Sequence, residues 1–283
     1  MVDFTAVLEG IREMPRGEGR AMTGRRSARR TAIAVGIGCL FLLSLWIATP
    51  VLAAELKVMS TVALNAPLDD LKPKFESATG HKLTIVYGLI AELKKRVEGG
   101  EAADVMILSR GALDDLQTQG KLASGSVVNL ASSYVAIAVR AGAPKPDIST
   151  ADALKRTLLD GKSIVYADPA KGGASGVYFA KVLERLGMVD QMKSKTTLVP
   201  GAQAAEVVAK GEAELGVGMS SEIVPVAGAQ LVGALPGDLN FVIVFSAGIG
   251  PASKNPAAAN ELIRFITGPT GAPMLKAAGM DPA

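Results

Sequence analysis

Five short stretches carry the side chains best suited to hold a small ligand. They are Ser60-Thr61-Val62-Ala63, Gly88-Leu89-Ile90, Ser109-Arg110-Gly111, Gly172-Gly173-Ala174-Ser175-Gly176 and Ser220-Ser221-Glu222. All are rich in hydroxyls or small residues and poor in acids and bases. Hydroxyls beside backbone N–H groups at a helix start donate to anions. Gly172–Gly176 is the sharpest of the five: its glycines let a backbone approach a ligand closely, and Ser175 stands where a helix begins. A surface turn with an ordinary serine cap accounts for the same residues equally well. The stretch is neither a Walker A nor a G-x-G-x-x-G pattern, so nucleotide binding has no motif behind it. Arg110 can clamp a carboxylate or oxyanion through two N–H groups, or simply stand in solvent. Glu222 and Lys171 read as solvated charges, and His81, after Thr79-Gly80, reads as a turn residue.

Catalysis finds little support in these residues. Nucleophilic chemistry needs an oriented base, and metal chemistry needs a ligand cage. The only cysteine is Cys39, the only histidine is His81, and G-x-S-x-G does not occur. Asp69-Asp70 and Asp114-Asp115 are adjacent on helices, so their side chains diverge. The reading is that the chain is not an enzyme, with neither cofactor nor metal; a periplasmic enzyme is a disfavoured alternative.

The elements that must position these stretches follow from periodicity. Strands are expected at Leu56–Met59, Leu83–Tyr87, Val105–Leu108, Ile164–Tyr166, Thr197–Val199, Leu215–Met219 and Phe241–Phe245. Between them, Leu64, Leu68, Leu71 and Phe75 share one helical face, as do Leu93 with Val97, Leu113 with Leu116, and Phe179, Val182, Leu183 with Leu186. Ser149 with Asp152 resembles a capping box opening a further helix through Leu159. The chain closes with helices around Leu262, Phe265 and Leu275. Strand–helix alternation predicts parallel β-α-β units, in which ligands bind beyond the carboxyl ends of the strands. Ala143-Pro144-Lys145-Pro146 is a plausible hinge or boundary.

Arg25, Arg26, Arg29 and Arg30 precede an uncharged run from Thr31 to Leu52 that ends in Val51-Leu52-Ala53-Ala54. These are the parts of an export signal cut after Ala53 or Ala54, with Met22 a second candidate start. The reading is a leader over 1–53, exported by the ordinary Sec route with a twin-arginine route as the alternative, and a periplasmic protein; a retained membrane anchor is the alternative to cleavage. Seven of the 30 Lys and Arg and four of the 27 Asp and Glu lie before Ala54, so the remainder balances to zero. Nothing in that balance suggests nucleic acid as a partner.

Several segments resemble the periplasmic molybdate-binding family, type 2 solute-binding proteins of ABC transporters. They are Val58–Leu64, Arg96–Val105 with its Gly99-Gly100 turn, Asp168–Tyr178, Leu215-Gly216-Val217, and Thr267-Gly268-Pro269 with Ala278-Gly279-Met280. The resemblance implies an α/β fold of two parallel-sheet lobes joined by a two-segment hinge, with 54–136 and 245–283 in one lobe and 137–244 in the other. It implies a monomer that closes on a small anion, molybdate or tungstate by default, and presents it to an inner-membrane ABC permease. Positions where that family places ligand hydroxyls fall here at Ala63, Gly88-Leu89-Ile90 and Met219, which have none. The candidate ligand contacts are therefore Ser60, Thr61, Ala63, Ser109, Arg110, Ala174, Ser175, Gly176 and Met219. Leu89, Ile90 and Met219 suit a ligand with apolar surface, so a small organic acid is the alternative cargo. A sensor partner is the alternative role.

Overall fold

The computed structural model describes residues 53–283. The expected leader, apart from Ala53, lies outside the described residues, and among the described residues no helix is long and apolar enough to cross a membrane.

Strand β1 (Glu55–Thr61) runs through a 3-10 turn (Val62–Leu64) into α1 (Asn65–Thr79). There follow β2 (Lys82–Gly88), α2 (Ile90–Glu98), β3 (Val105–Ser109) and α3 (Arg110–Thr118). The long β4 (Val128–Arg140) leads to α4 (Ala151–Asp160), β5 (Ile164–Ala167), α5 (Ala174–Arg185) and α6 (Val189–Lys193). Next come β6 (Thr196–Val199), α7 (Ala204–Lys210), β7 (Leu215–Met219), α8 (Ser220–Ile223) and β8 (Ala229–Ala234). The chain ends with β9 (Val242–Ile249), α9 (Pro256–Thr267), α10 (Gly271–Ala277) and β10 (Asp281–Pro282).

The sheet runs β2-β1-β3-β9-β4-β7-β5-β6, with β8 and β10 also on β4. Each flank is parallel, β1 with β2 and β3 on one side and β5 with β6 and β7 on the other. The expected parallel units are therefore present, but the centre is antiparallel. There β4 and β9 pair with each other from Val128↔Ala247 to Tyr134↔Val242 and join the two flanks. Ala143–Pro146 lies past the end of β4, in the loop before α4.

The expected helical faces pack as periodicity requires. Leu64, Leu68, Leu71 and Phe75 are buried on β1 and β2, and Phe265 of α9 meets the Phe75 ring edge-on at 5.4 Å. Two readings need correction. The cap of α4 is Thr150, whose hydroxyl accepts the Ala153 N–H at 3.1 Å, while Ser149 N–H bonds to Asp147. Ser175 does not cap α5: Gly173 holds that place, and Ser175 lies inside the first turn, buried. His81 does sit at the turn into β2. It is buried, and its Nδ1 accepts the Ala54 N–H at 3.0 Å.

Candidate functional site

The carboxyl ends of β1, β2, β5 and β7 converge on a narrow cavity of about 20 Å³, with room for about one water-sized group. Thr61, Val62 and Ala63 line it from β1 and the turn after it, and Leu89 and Ile90 from the start of α2. Ala167, Gly173, Ala174 and Ser175 line it from the β5–α5 connection, with Gly201, Met219, Glu222 and Phe245 completing the wall. The connection can come this close only because residue 176 is glycine. A Cβ there would stand 1.9 Å from the Ala167 carbonyl oxygen.

Thr61 and Ser175 are both only 3% exposed, and among the described residues neither hydroxyl makes a hydrogen bond. Both residues line the cavity, so their hydroxyls are free to serve a ligand that enters it. The first N–H groups of α5 add donors without intrahelical acceptors.

Glu222, which from sequence reads as a solvated charge, is not one. It is only partly exposed and lines the cavity. Its Oε2 accepts the Met219 N–H at 3.0 Å. Burial pushes its pKa up to about 7, against the lowering effect of that hydrogen bond.

The position of α8 is fixed by a buried hydroxyl network. Ser220 donates to the Gly279 carbonyl at 2.6 Å, Ser133 Oγ lies 2.8 Å from Ser220 Oγ, and Ser221 N–H donates to Ser133 Oγ at 3.2 Å. These contacts tie α8 to β4 and to the C-terminal segment, and so orient Glu222.

Outside this cavity lies a larger cleft of about 780 Å³, and the two share Ile90 and Ala174. Lys94, Arg110 and Lys181 line the cleft, and no carboxylate does. Arg110 Nε donates to Asp114 at 2.8 Å and Nη1 to Asn129 at 3.2 Å. Lys94 pairs with Asp115 at 2.6 Å, whereas Lys181 has no ion pair among the described residues. The opposite wall is apolar: Tyr178 stacks on Phe241 at 4.2 Å, and Val242 and Val244 are exposed beside them.

The nine residues singled out from sequence are thus distributed unevenly. Thr61, Ala63, Ala174, Ser175 and Met219 line the small cavity, and Ser109, Arg110 and Ala174 line the cleft. Ser60 reaches neither; it is buried, with Oγ donating to the Thr61 carbonyl at 3.2 Å. Gly176 acts through close packing on Ala167. Ser109 spends its hydroxyl on the Ala112 N–H as the cap of α3. Sequence reasoning missed Glu222, Lys94 and Lys181. A charge three residues past the end of an apolar strand was the available signal for Glu222.

A two-flank sheet with a ligand-sized cleft at the strand ends defines a solute-binding fold. Residues 56–281 match the family of bacterial extracellular solute-binding proteins, and the chain belongs to it. A Pseudomonas sp. protein named aconitate isomerase is 34% identical, the match covering 88% of this chain and 95% of that one. Molybdate-binding protein ModA of Azotobacter vinelandii is 31% identical over 89% of this chain and 97% of its own. The solved structure of the Azotobacter vinelandii periplasmic molybdate-binding protein superimposes with a TM-score of 0.65 at 24% identity, covering 80% of this chain and 98% of that one. The resemblance to the molybdate-binding family and the type 2 binding fold are confirmed.

The reading that excluded catalysis is overturned by the isomerase relative. That exclusion looked for a nucleophile, an acid–base pair or a metal cage. Isomerisation by proton transfer needs none of these, only one well-placed group that gives and takes a proton.

Proposed function

We propose that this chain is an exported protein that takes a small polycarboxylate of the aconitate type into the cleft and isomerises it. The observation that carries the reading is the cleft wall itself, with Lys94, Arg110 and Lys181 and no acid among its lining residues. Lys181 has no ion pair among the described residues, and Arg110, although paired with Asp114, keeps N–H groups free to donate to a carboxylate. A four-oxygen ion would leave most of a 780 Å³ cleft unfilled and its valine and aromatic wall without a partner. A carbon skeleton uses both. The isomerase relative supports the same substrate class.

Closure would bring the two flanks, residues 54–136 with 245–283 and residues 137–244, together about the β4–β9 pair. Ligand-dependent compaction in solution scattering tests that motion. The reaction is tested by adding trans-aconitate to the purified protein and following the cis isomer by proton NMR. Turnover supports the reading; neither turnover nor binding refutes it.

A second reading has an observation of its own, the 31% identity to ModA. Here the cavity holds an oxyanion for delivery to an ABC permease. Thermal stabilisation by molybdate or tungstate, with no response to tricarboxylates, would select it. A ligand at one hundred times its Kd adds about 2.7 kcal/mol, an easily read shift.

A further inference from the structure

We infer that Glu222 carries the proton in this reaction, as a single base on the floor of the small cavity, which opens beyond its 20 Å³ past Ile90 and Ala174 to admit the reacting carbons from the adjoining cleft; the inference rests on the isomerase reading above. Three features place it there. Glu222 forms part of the cavity wall together with Ser175 and Thr61. It is the one titratable side chain among the residues lining that cavity, whose other walls come from β1, β5, β7, β9 and the starts of α2 and α5. Of the elements packed on α8, β8, β7 and the Val62–Leu64 turn carry no titratable side chain, while β4 brings Tyr134, which packs in an apolar cluster with Ile223, and Arg140, whose guanidinium lies against Gly211. No cation therefore holds the carboxyl ionised, and its raised pKa suits a group that must both accept and return a proton near neutrality.

The step balances without an oxidant or a metal. An aconitate has a methylene between one carboxylate and the carbon–carbon double bond. Glu222 carboxylate takes a proton from that methylene, and the C–H electron pair spreads over the allyl unit and its carboxylates as a dienolate. Glu222 then returns the proton to the far carbon of the allyl unit, and the double bond moves to the carbons that had been singly bonded. The conformation in which that single bond is held fixes the new geometry as cis or trans. Thr61, Ser175 and the first N–H groups of α5 are placed to stabilise the dienolate charge.

A capping role alone would also explain a glutamate here, because Oε2 accepts the Met219 N–H. The test separates the two roles. E222Q keeps an oxygen acceptor for that N–H but cannot take a proton. Wild type, E222Q and E222D are compared for trans-aconitate turnover, for trans-aconitate affinity by calorimetry, and for deuterium uptake into the methylene in D2O. The expected result is a loss of about 100- to 10,000-fold in turnover and exchange for E222Q. Its affinity should stay within about threefold of wild type, by analogy with an interaction made only in the transition state. E222D recovers part of the rate, and the wild-type rise of kcat/KM with pH, centred near 7, is absent in E222Q. E222Q turning over within about threefold of wild type overturns the inference and leaves the isomerase reading standing. Wild type that binds trans-aconitate but neither turns it over nor exchanges deuterium overturns the isomerase reading, and the inference with it. If E222Q does not fold, E222D decides: a wild-type rate and pH profile from the shorter acid would contradict a positioned base.

Discussion

Substituting Gly176 by alanine tests whether the β5–α5 contact builds the cavity. The new Cβ would sit 1.9 Å from the Ala167 carbonyl oxygen and 2.7 Å from its carbon. Contacts under 3.0 Å are essentially never seen for a real Cβ, so α5 must withdraw from β5 by at least about 1 Å. Overpacking of this kind costs about 1–3 kcal/mol. For a chain of this size each kcal/mol moves the melting point by roughly 2–4 °C, giving a fall of about 2–12 °C. Ser175 moves with the helix, and a displacement of about 1 Å at a reacting centre can cost about 100-fold in rate. Calorimetry and trans-aconitate turnover read the two effects separately. Gly111 supplies the control: a Cβ there meets nothing within 4 Å, so G111A should be neutral or gain about 0.5–1 kcal/mol from helix propensity. A G176A protein with wild-type melting point and wild-type turnover would refute the argument that this glycine sets the cavity.

Other perturbations have defined outcomes. Ser133→Ala removes the acceptor of the buried Ser221 N–H and should cost about 1–3 kcal/mol in urea unfolding. Lys181→Ala should weaken trans-aconitate binding by roughly fivefold at low salt, with the difference shrinking as salt rises, since exposed charge pairs are worth up to about 1 kcal/mol. Hydrogen bonds from Arg96 and then Lys57 hold the Glu101 carboxyl down to about 2, below its ordinary value of 4.5. A depressed acid stabilises above its unfolded value and loses that contribution as pH falls through its folded value. The stability gap between wild type and E101Q should therefore be present at pH 6 and close between pH 4.5 and about 2, as read by melting point against pH.

Where a segment buries one face, its sequence announced it. Leu64, Leu68, Leu71 and Phe75 follow the helical period because α1 has core on one side and solvent on the other. The strand ends that bear the site were also visible, since apolar β1, β5 and β7 stop abruptly at Thr61, Asp168 and Ser220. The long β4 was not. Its second half, Val135 to Val139, is buried on both faces and includes Ala136 and Ala138, so no alternation marks it, while Ser132-Ser133 interrupts its apolar run. β8 escaped for a related reason: Ala229–Ala234 is partly exposed along its whole length and shows no contrast between faces. Glu222 is not legible because α8 is a single turn, too short for any period to show which way a side chain faces. Lys94 and Lys181 became meaningful only once folding placed α2 and α5 around one cleft.

The pairing of β4 with β9 restricts how this chain can change over generations. Both crossing strands are hydrogen-bonded to each other, from Val128↔Ala247 to Tyr134↔Val242, instead of passing between the flanks as separate linkers. Inserting or deleting one residue in either would slip the register and send every following side chain to the opposite face of the sheet. Leu130, Ala131, Phe245 and Ala247, all buried, would be displaced together. Length variation is therefore confined to segments such as the exposed 141–147 loop, while 128–140 and 242–249 admit substitution but not resizing.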